Sequence, residues 1–344
     1  MNTELWYKKP GNMVDVAISS RVRLARNISG VPFMTRLSET GALSVVNKVR
    51  EAVNTMRNRY SQYHFDFLNL KDLNKFQRLY FLESHIISPT FIKSSLPTAL
   101  VISEDESCSI MVNEEDHVRL QVFSSGLNLN QVYEVADKID DFLDDNLGFS
   151  FSEEFGYLTL CPSNLGSGVR ASLMLHLPAL RMHGIIGKLQ DSLFKLGFTI
   201  RGTYGEGTSF LGDMYQISNQ ITLGITEESI IKNLENIAIQ LINQEKKLRN
   251  SFKNNVNILD EIHRAFGILS SCRLLSVKEL LDLSSKVRLG IALGEFSNVT
   301  FETINLLMFN ATNANIPFGN EENLTDVERD KLRADFARKT LTGK

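Results

Sequence analysis

Residues 109–123, SIMVNEEDHVRLQVF, consist of two β-type runs on either side of a short acidic turn. A turn this short joins neighbouring antiparallel strands, whereas parallel strands need a crossover of about a dozen residues or more. The stretch therefore predicts one hairpin of a larger antiparallel sheet. Further β-type runs follow one another between Ala99 and Leu223, namely ALVIS, YLTLCP, SLMLHLP, FTIRG and MYQIS.

Helical patterns surround these strands. In residues 40–83 apolar side chains recur at three- and four-residue steps, at Leu43, Val46, Val49, Val53 and Met56. Similar patterns occupy residues 128–145, 184–196 and 226–249, the last with Thr226 as its expected N-cap. An antiparallel sheet flanked by helices belongs to the α+β fold class.

The chain after residue 250 has no β-type pattern, and we expect an all-helical C-terminal domain there. The polar stretch NQEKKLRNSFKNNVN is the predicted linker, because it combines charges with asparagines. SVKE at 276–279 and TDVE at 325–328 have the capping-box form that begins a helix. The expected domains are therefore residues 1–250 and 251–344.

Composition limits the classes of function. Hydrophobic residues make up 43% and charged residues 22% of the 344 residues, which is typical of a globular protein. The formal net charge of -3 predicts no bulk attraction to nucleic acid or to an anionic membrane. No apolar run approaches the roughly 20 residues of a membrane span. The three cysteines are too scattered for a disulfide framework or a zinc site. We therefore expect a cytoplasmic protein with reduced thiols and no metal centre of its own.

Two segments place arginines in alternating patterns. In SSRVRLARN, residues 19–27, an extended strand would turn Arg21 and Arg23 to one side, where the pair could grip a polyphosphate. In HVRLQVF, Arg119 alternates with apolar residues directly after the acidic turn that contains Glu115. A basic surface strand and a solvated acidic turn would explain the same patterns without any function.

Two glycine-rich loops carry further candidates. CPSNLGSGVR, residues 161–170, has glycines that let backbone N–H groups approach an anion, and Arg170 lies at its exit. The loop lacks the ending of a P-loop and leads into a strand, which disfavours a Walker-type site. A second loop begins at Arg201 and carries Glu206 at the tip of a candidate lid. A buried core thiol at Cys161 and an ordinary second loop are the simpler alternatives.

Arginines, glycine loops and acids together favour phosphoryl transfer. A triphosphate brings several negative charges, and catalysis consists mainly of neutralising and aligning them, with Mg²⁺ supplied from solvent. Carboxylates beside the arginines would hold or deprotonate a cationic acceptor.

SSRVRLARN, NEEDHVR, CPSNLGSGVRAS and RGTYGEGT, the last followed by ISNQITLG, resemble in their order the signatures of the phosphagen, or guanidino, kinase superfamily. Its members transfer the γ-phosphoryl of ATP to a guanidinium nitrogen. The resemblance implies ATP and Mg²⁺ as cofactors. It assigns the nucleotide to Ser19, Arg21, Arg23, Arg119, Arg170 and Arg201. It assigns catalytic roles to Glu115, which positions the guanidinium, to Glu206, the second substrate carboxylate, and to Cys161, the reactive thiol.

Other features resemble the bacterial protein arginine kinase branch rather than the metabolite kinases. Met174 replaces the histidine of the usual RASVHIKLP strand, GEGT replaces GEHT, and a helical tail follows. In that branch the acceptor is an arginine side chain of another protein, which makes a small-molecule acceptor less consistent with this sequence.

The tail contains RDKLRA, which resembles the branch's phosphoarginine-sensing motif and implies that role for Arg329, Asp330 and Arg333. The two arginines are four residues apart on one helix face, so an anion between them would relieve their repulsion. Asp330 and Asp335 offer a purely structural neutralisation instead.

The resulting hypothesis is a protein arginine kinase that marks proteins for Clp-type degradation or regulates a stress response. The resemblance further implies a homodimer, protein substrates, a zinc-containing activator protein, a Clp unfoldase and a heat-shock repressor. Two alternatives stay open. One is a kinase of a free guanidino metabolite such as arginine, and the other is a catalytically weak protein that binds phosphoarginine.

Overall fold

The computed structural model describes residues 4–59, 64–202, 211–310 and 324–343. The strands in these ranges are β1 (Ala17–Arg26), β2 (Phe65–Asn69), β3 (Ala99–Ser103), β4 (Cys108–Val112), β5 (Val118–Ser125), β6 (Phe151–Ser152), β7 (Gly156–Tyr157), β8 (Val169–His176), β9 (Phe198–Gly202) and β10 (Met214–Asn219). Eight of them form one sheet in the order β2-β3-β4-β5-β1-β8-β10-β9, and each neighbouring pair is antiparallel. The predicted hairpin is confirmed as β4 and β5, and so is the α+β class.

The α-helices in the described ranges are α1 (Glu39–Arg59), α2 (Lys75–Glu83), α3 (Pro89–Ile92), α4 (Leu129–Leu147), α5 (Pro178–Met182), α6 (Ile186–Lys195), α7 (Glu227–Arg249), α8 (Val256–Ser271), α9 (Val277–Leu293), α10 (Phe301–Asn310) and α11 (Asp326–Thr342). The predicted N-caps are confirmed, because the side chains of Thr226, Ser276 and Thr325 accept backbone hydrogen bonds at the starts of α7, α9 and α11.

One face of the sheet is apolar and packs against helices. Val22 and Leu24 of β1 and Leu120 of β5 join apolar side chains of α1, α4 and α7 in the main hydrophobic core. The alternate residues of the same strands point to the opposite face, where the polar side chains lie. The period-2 pattern of the sequence therefore separates a core face from a polar face.

The predicted helix over residues 40–83 is partly wrong. α1 ends at Arg59, and β2 then pairs with β3 at the edge of the sheet, from Phe65 opposite Ser103 to Asn69 opposite Ala99. β2 has only five residues, so backbone pairing with a buried strand outweighs the local pattern. Leu43, expected on the apolar stripe of α1, is half exposed.

The run YLTLCP is not the predicted strand. Only Tyr157 belongs to a strand, in the small β6–β7 pair. Asp116 accepts a hydrogen bond from the Leu160 N–H at 2.7 Å, and the Thr159 hydroxyl donates to the Cys161 carbonyl at 2.9 Å. Side chains therefore satisfy backbone groups that a strand neighbour would otherwise satisfy.

The stretch predicted to be a linker is mostly helical. Glu245 and Arg249 lie within α7, are buried and pair with each other at 2.7 Å. The Glu245 carboxylate also accepts the N–H groups of Ala179 and Leu180 at the start of α5, at 3.0 and 2.9 Å. The helix predicted to reach residue 249 is thereby confirmed, and the charges that made this stretch look like a linker are satisfied inside the fold.

The C-terminal helices pack on part of the polar face. Ile18 of β1 and Met214 of β10 lie in a second apolar cluster with side chains of α8 to α11. The buried Arg288 of α9 donates to the backbone carbonyl of Val14 and, at 2.5 Å, to Asn305 of α10. The helices thereby cover one end of this face and leave the arginine-bearing part beside them.

Candidate active site

Arginines from all four predicted segments lie on the polar face of the sheet. β1 carries Arg21 and Arg23, β5 carries Arg119, β8 carries Arg170 and β9 carries Arg201. These strands are adjacent except for β10, which lies between β8 and β9. Strand pairing therefore gathers side chains that are up to about half the chain apart.

The register explains how close the arginines are. Arg23 lies directly opposite Arg170, and Arg21 lies opposite Ser172. Arg21 donates to the Ser172 hydroxyl at 3.3 Å and to Gln216 at 3.1 Å. Directly opposite residues project to the same side of a sheet, so Arg23 and Arg170 are neighbouring cations.

The arginines destabilise one another's charge. Burial, followed by the nearby Arg119 and Arg170, lowers the pKa of Arg21 to about 10. Burial and the same kind of neighbours, Arg21 first among them, hold the pKa of Arg23 well below its usual value. The Nε atoms of Arg23 and Arg170 are buried and have no hydrogen-bond partner among the described residues. The group therefore matches a bound polyanion that would pair with these cations.

Ser19 and Met174 extend the polar face beyond the arginines. The two residues are opposite each other in the β1–β8 ladder, and Met174 is opposite Gln216 of β10. Both line a cavity of about 90 Å³ that also contains Arg21, Trp6 and Phe123. The walls of this cavity are mainly apolar, so it suits the base and sugar of a nucleotide rather than its phosphates.

A second cavity, the arginine cavity, has a volume of about 100 Å³. It is lined by Arg23, Leu24, Ala25, Glu115, Arg119, Ser163, Asn164, Gly168 and Arg170. The predicted carboxylate Glu115 therefore shares one cavity with three of the predicted nucleotide arginines.

The acids of the β4–β5 turn have separate environments. Glu114 pairs with Arg119 at 2.9 Å and accepts a hydrogen bond from Ser88 at 2.5 Å. Asp116 is buried and accepts from Asn27 at 2.6 Å. Glu115, in contrast, faces the arginine cavity. The solvated turn, considered above as an alternative, does not describe Glu114 and Asp116, because both carboxylates have partners inside the fold.

Burial raises the pKa of Glu115, and the neighbouring carboxylates Glu114 and Asp116 raise it further. Arg119 and a hydrogen bond with the Cys161 side chain act in the opposite direction. Cys161 is half-buried, with its Sγ 3.1 Å from the Ser163 hydroxyl. The thiol is thus beside Glu115 and is not part of the apolar core.

The glycines of the 161–170 loop permit close packing. Gly168 has a φ of +67°, and a Cβ there would collide with the Ala25 carbonyl and the Arg26 guanidinium. Gly166 has a φ of +107°, and a Cβ there would collide with the backbone at Thr222. Only glycine combines these conformations with such contacts, so the loop is held between β1 and the segment after β10. As predicted, the loop leads into a strand, β8.

Glu206 lies outside the described residues, as does most of the loop predicted to be a lid. Arg201, at the start of that loop, is exposed and lies opposite Gln216. Burial is the main cause of the lowered pKa of Arg170, and the charge of Arg201 lowers that pKa further. Arg201 is therefore electrostatically part of the same group.

Known proteins are similar to this chain over nearly its whole length. The model of the ATP:guanido phosphotransferase C-terminal catalytic domain matches residues 44–248, and that of the protein-arginine kinase McsB C-terminal domain matches residues 255–344. A protein-arginine kinase of Clostridium novyi is 43% identical over 342 residues, which cover 99% of each chain. One of Caldanaerobacter subterraneus is 42% identical over 332 residues, 96% of this chain and 98% of its own. The chain belongs to the protein-arginine kinase family. The resemblance inferred from the motifs is thereby confirmed.

Solved structures give the same fold. The duplicated taurocyamine kinase from Schistosoma mansoni with bound transition state analog components has a TM-score of 0.62 at 24% identity, covering 77% of this chain and 38% of that chain. A lombricine kinase has a TM-score of 0.62 at 22% identity, covering 72% and 70%. At this identity the likeness concerns the fold alone.

Within this member of the protein-arginine kinase family, the predicted sensing residues lie on α11. Arg333 is buried, donates to the Leu275 carbonyl at 2.7 Å and pairs with Asp330 at 2.5 Å. Asp335 pairs with Arg338. Asp330 therefore neutralises the charge of Arg333, as the structural alternative expects. A phosphate that binds Arg333 would have to share this arginine with Asp330 or displace the carboxylate.

Several residues beside the site were not found from the sequence. Glu114 positions Arg119, and Ser88 holds Glu114. His85 lines the 90 Å³ cavity, and burial, followed by Arg21 and Arg23, lowers its pKa to about 4. No local pattern places the segment around Ser88 next to the β4–β5 turn, so only the fold identifies these residues.

No three His, Cys, Asp or Glu side chains lie together as a metal site within the described ranges. The same ranges contain no helix that is both long and apolar enough to cross a membrane.

Proposed function

We propose that this protein transfers the γ-phosphoryl group of ATP to a guanidinium nitrogen of arginine side chains in other proteins. The observation that carries the proposal is the arginine cavity, where Glu115 faces cations that, among the described residues, form no ion pair apart from Glu114–Arg119. Membership of the protein-arginine kinase family supports the choice of acceptor.

Each side of the cavity has a distinct chemical role. Arg23, Arg119 and Arg170 would neutralise the phosphate oxygens, whose charge is spread in the transition state. Glu115 would accept hydrogen bonds from the guanidinium and align one nitrogen with the γ-phosphorus. The new N–P bond forms while the bond from phosphorus to the β–γ bridging oxygen breaks, and ADP leaves.

The proton balance follows from the acceptor's basicity. A guanidinium has a pKa above about 12, so its proton leaves late, as the N–P bond forms and the nitrogen becomes less basic. Among the described lining residues of the cavity, Glu115 is the one with a carboxylate, and it would receive that proton. Its raised pKa makes it a better base than an ordinary solvated glutamate.

The nucleotide would extend from the arginine cavity into the neighbouring apolar cavity. Arg21 lines the apolar cavity with Ser19, Met174 and Phe123, and it is two residues along β1 from Arg23 of the arginine cavity. Mg²⁺ would bind to the phosphates themselves, since it keeps several waters and needs few protein ligands. Its chemical contribution is to neutralise charge on the β and γ oxygens.

The remaining assignments stay predictions. Glu206 is expected to hold the guanidinium opposite Glu115, and Cys161 to contact it. The domain boundary at residue 250 and the cytoplasmic location are expected from the sequence pattern, and a homodimer and partners of the activator, Clp and heat-shock repressor types from the resemblance. Phosphoarginine sensing by Arg329, Asp330 and Arg333 is likewise proposed, and calorimetric titration of phosphoarginine into the parent and an Arg333→Ala variant would test it.

The proposed activity has a direct test. The purified chain is incubated with Mg-ATP and an unfolded arginine-rich protein, and phosphorylated residues are located by mass spectrometry at neutral to alkaline pH, which preserves the N–P bond. We expect phosphate on arginine with the parent chain and at least a 100-fold slower rate with Glu115→Gln, a magnitude of about that order for a general base. Labelling of free arginine alone would identify a metabolite kinase. Tight phosphoarginine binding without any transfer would identify a binding protein.

A further inference from the structure

A surface groove of about 490 Å³ lies beside the 161–170 loop, between the β6–β7 hairpin and the segment that follows β10. Its walls include Phe151, Phe155, Leu223, Ile225, Glu154 and Glu228. Part of its floor is Gly166 and Ser167, so the groove and the arginine cavity are lined by the same loop.

The apolar walls of the groove are exposed for a structural reason. Leu223 and Ile225 are 48% and 37% exposed, whereas Thr222 between them and the core is buried. The Thr222 hydroxyl donates to the Leu165 carbonyl at 2.6 Å and lies 3.1 Å from the Ser163 carbonyl. Beyond this anchored residue the chain turns at Gly224, which has a φ of +74°, and Leu223 and Ile225 on either side of it are exposed.

The hairpin adds aromatic surface on the other wall. Phe151 and Phe155 are 61% and 43% exposed, although large apolar side chains are usually buried. Clustered exposure of this kind marks a surface that binds another molecule. The two walls together form an apolar track rather than isolated exposed residues.

The groove leads towards the site of chemistry. Ser163 and Asn164 line the arginine cavity, and Gly166 and Ser167 line the groove. Three backbone steps from Asn164 to Ser167 span at most about 11 Å. An extended polypeptide advances about 3.3 Å per residue, so roughly three or four residues would connect an arginine in the cavity with side chains in the groove.

Charge indicates the kind of segment that fits. Glu154, Glu227 and Glu228 line the groove, and no lysine or arginine is among its described lining residues. Glu227 lies 3.6 Å from the buried Arg26, while Glu154 and Glu228 are exposed. Acidic and apolar walls together complement a segment that carries apolar and cationic side chains, and they disfavour nucleic acid or an anionic membrane.

We propose that this groove binds the extended polypeptide that flanks the acceptor arginine, with preference for apolar and basic neighbours. The inference rests on the proposed function, because it names the class of acceptor segment for that activity. It predicts that unfolded proteins, which expose such segments, are better acceptors than folded proteins of the same composition.

Peptide binding tests the groove without relying on catalysis. Two dye-labelled 15-residue peptides would share one central arginine, flanked either by leucine, phenylalanine and lysine or by serine and glycine. By fluorescence anisotropy, we expect the full chain to bind the apolar and basic peptide about tenfold more tightly. A Phe155→Ser, Leu223→Ser double variant should lose this preference, and a Glu154→Gln, Glu228→Gln double variant should lose the part that depends on lysine.

Val256→Ser is the matched control, since Val256 is 77% exposed and lies outside the groove. In turnover assays the Phe155→Ser, Leu223→Ser variant should show an about tenfold higher KM for the apolar and basic peptide, with kcat and the KM for ATP within about twofold of the parent.

Equal peptide preference in the parent and in this variant would overturn the proposal. So would a changed molar mass of the variant in light scattering, which would assign the groove to contacts between copies of the chain. Groove-dependent binding without arginine phosphorylation would count against the proposed function alone.

Discussion

Glu114 and Glu115 are adjacent in the chain and have opposite tasks. Burial raises the pKa of Glu114, but Arg119 and hydrogen bonds from Ser88 and the Glu115 N–H outweigh it, so the net pKa is lowered. The pKa of Glu115 is raised by burial and by the two neighbouring acids. Glu114 is therefore a fixed anion that positions Arg119, whereas Glu115 is available to a substrate.

Substituting the two glutamates separately should distinguish these tasks. Glu115→Gln keeps the size of the side chain and removes the base, so we expect kcat to fall about 100-fold or more, with KM for ATP nearly unchanged. Glu114→Gln releases Arg119, so we expect a several-fold higher KM for ATP and a smaller loss of kcat. Steady-state kinetics on one unfolded acceptor protein measures both. Similar losses in both variants would contradict the division of roles.

Cys161 should contribute to the pH range in which Glu115 is ionised, in addition to burial and the carboxylates of Glu114 and Asp116, which shift its pKa more. The Cys161 side chain hydrogen-bonds Glu115 and lowers its pKa, so Cys161→Ala should raise that pKa further. Activity requires the carboxylate and is lost as pH falls through this pKa. The acid limb of the kcat/KM profile should therefore move to higher pH in Cys161→Ala and stay near its original position in Cys161→Ser, which retains a donor. An unmoved limb in the alanine variant would exclude this role of the thiol.

At the scale of the strands, β1 and β8 bring Arg23 and Arg170 into direct opposition. Burial and the neighbouring cations lower the pKa of Arg23, which means that its charged form costs free energy in the unliganded fold. The sheet thus retains an arrangement that favours the bound polyphosphate over the empty site.

Arg23→Gln should remove the free-energy cost of the buried charge at this position. Without nucleotide, we expect the variant to unfold about 2 °C higher than the parent, because one destabilising buried charge is removed. The rise in melting temperature on adding Mg-ATP should be much smaller than in the parent, because the phosphates lose a partner. Differential scanning calorimetry with and without Mg-ATP gives both values. Lys48→Gln, on an exposed position of α1, controls for loss of a charge in general.

Alternation along the strands predicted which side chains share a face, and capping residues predicted the starts of several helices. Strand order was not predictable, because Arg23 meets Arg170 only through pairing of segments far apart in the chain. YLTLCP has a β-type pattern, yet Asp116 supplies the hydrogen bond that a strand neighbour would provide. A hydrogen bond from a residue distant in the chain can replace strand pairing in this way, and it leaves no pattern in the local sequence.

At the scale of the whole molecule, composition suggested a linker at NQEKKLRNSFKNNVN, where the structure has buried polar contacts. Glu245 and Arg249 look solvated by composition, but they are buried together, and Arg249 also donates to the His176 carbonyl of β8 at 2.9 Å. His176 in turn lies 2.9 Å from the Ser285 hydroxyl of α9. Polar contacts thus connect the sheet to the C-terminal helices, and composition could not reveal their partners.

Helix α10, in the C-terminal helical region, should also contribute to nucleotide binding. Met308 and Phe309 line the apolar cavity beside Arg21. Phe309 stacks on Tyr7 with 5.0 Å between ring centroids and meets Trp6 edge-on at 5.5 Å. Trp6 stacks on Phe123 at 5.2 Å, so a continuous aromatic wall joins α10 to β5. This wall is the side of the cavity expected to contact the base.

Phe309→Ala should therefore weaken ATP binding through the base alone. Loss of one aromatic wall is expected to raise KM for ATP about tenfold with little change in kcat. Inorganic triphosphate, which has no base, should inhibit the parent and the variant equally, because the arginines are unchanged. Leu274→Ala, at an exposed position between α8 and α9, is the matched control within the same helical region. If triphosphate inhibition weakens as much as ATP binding does, Phe309 acts by supporting the fold of the whole site, and the direct contact with the base is excluded.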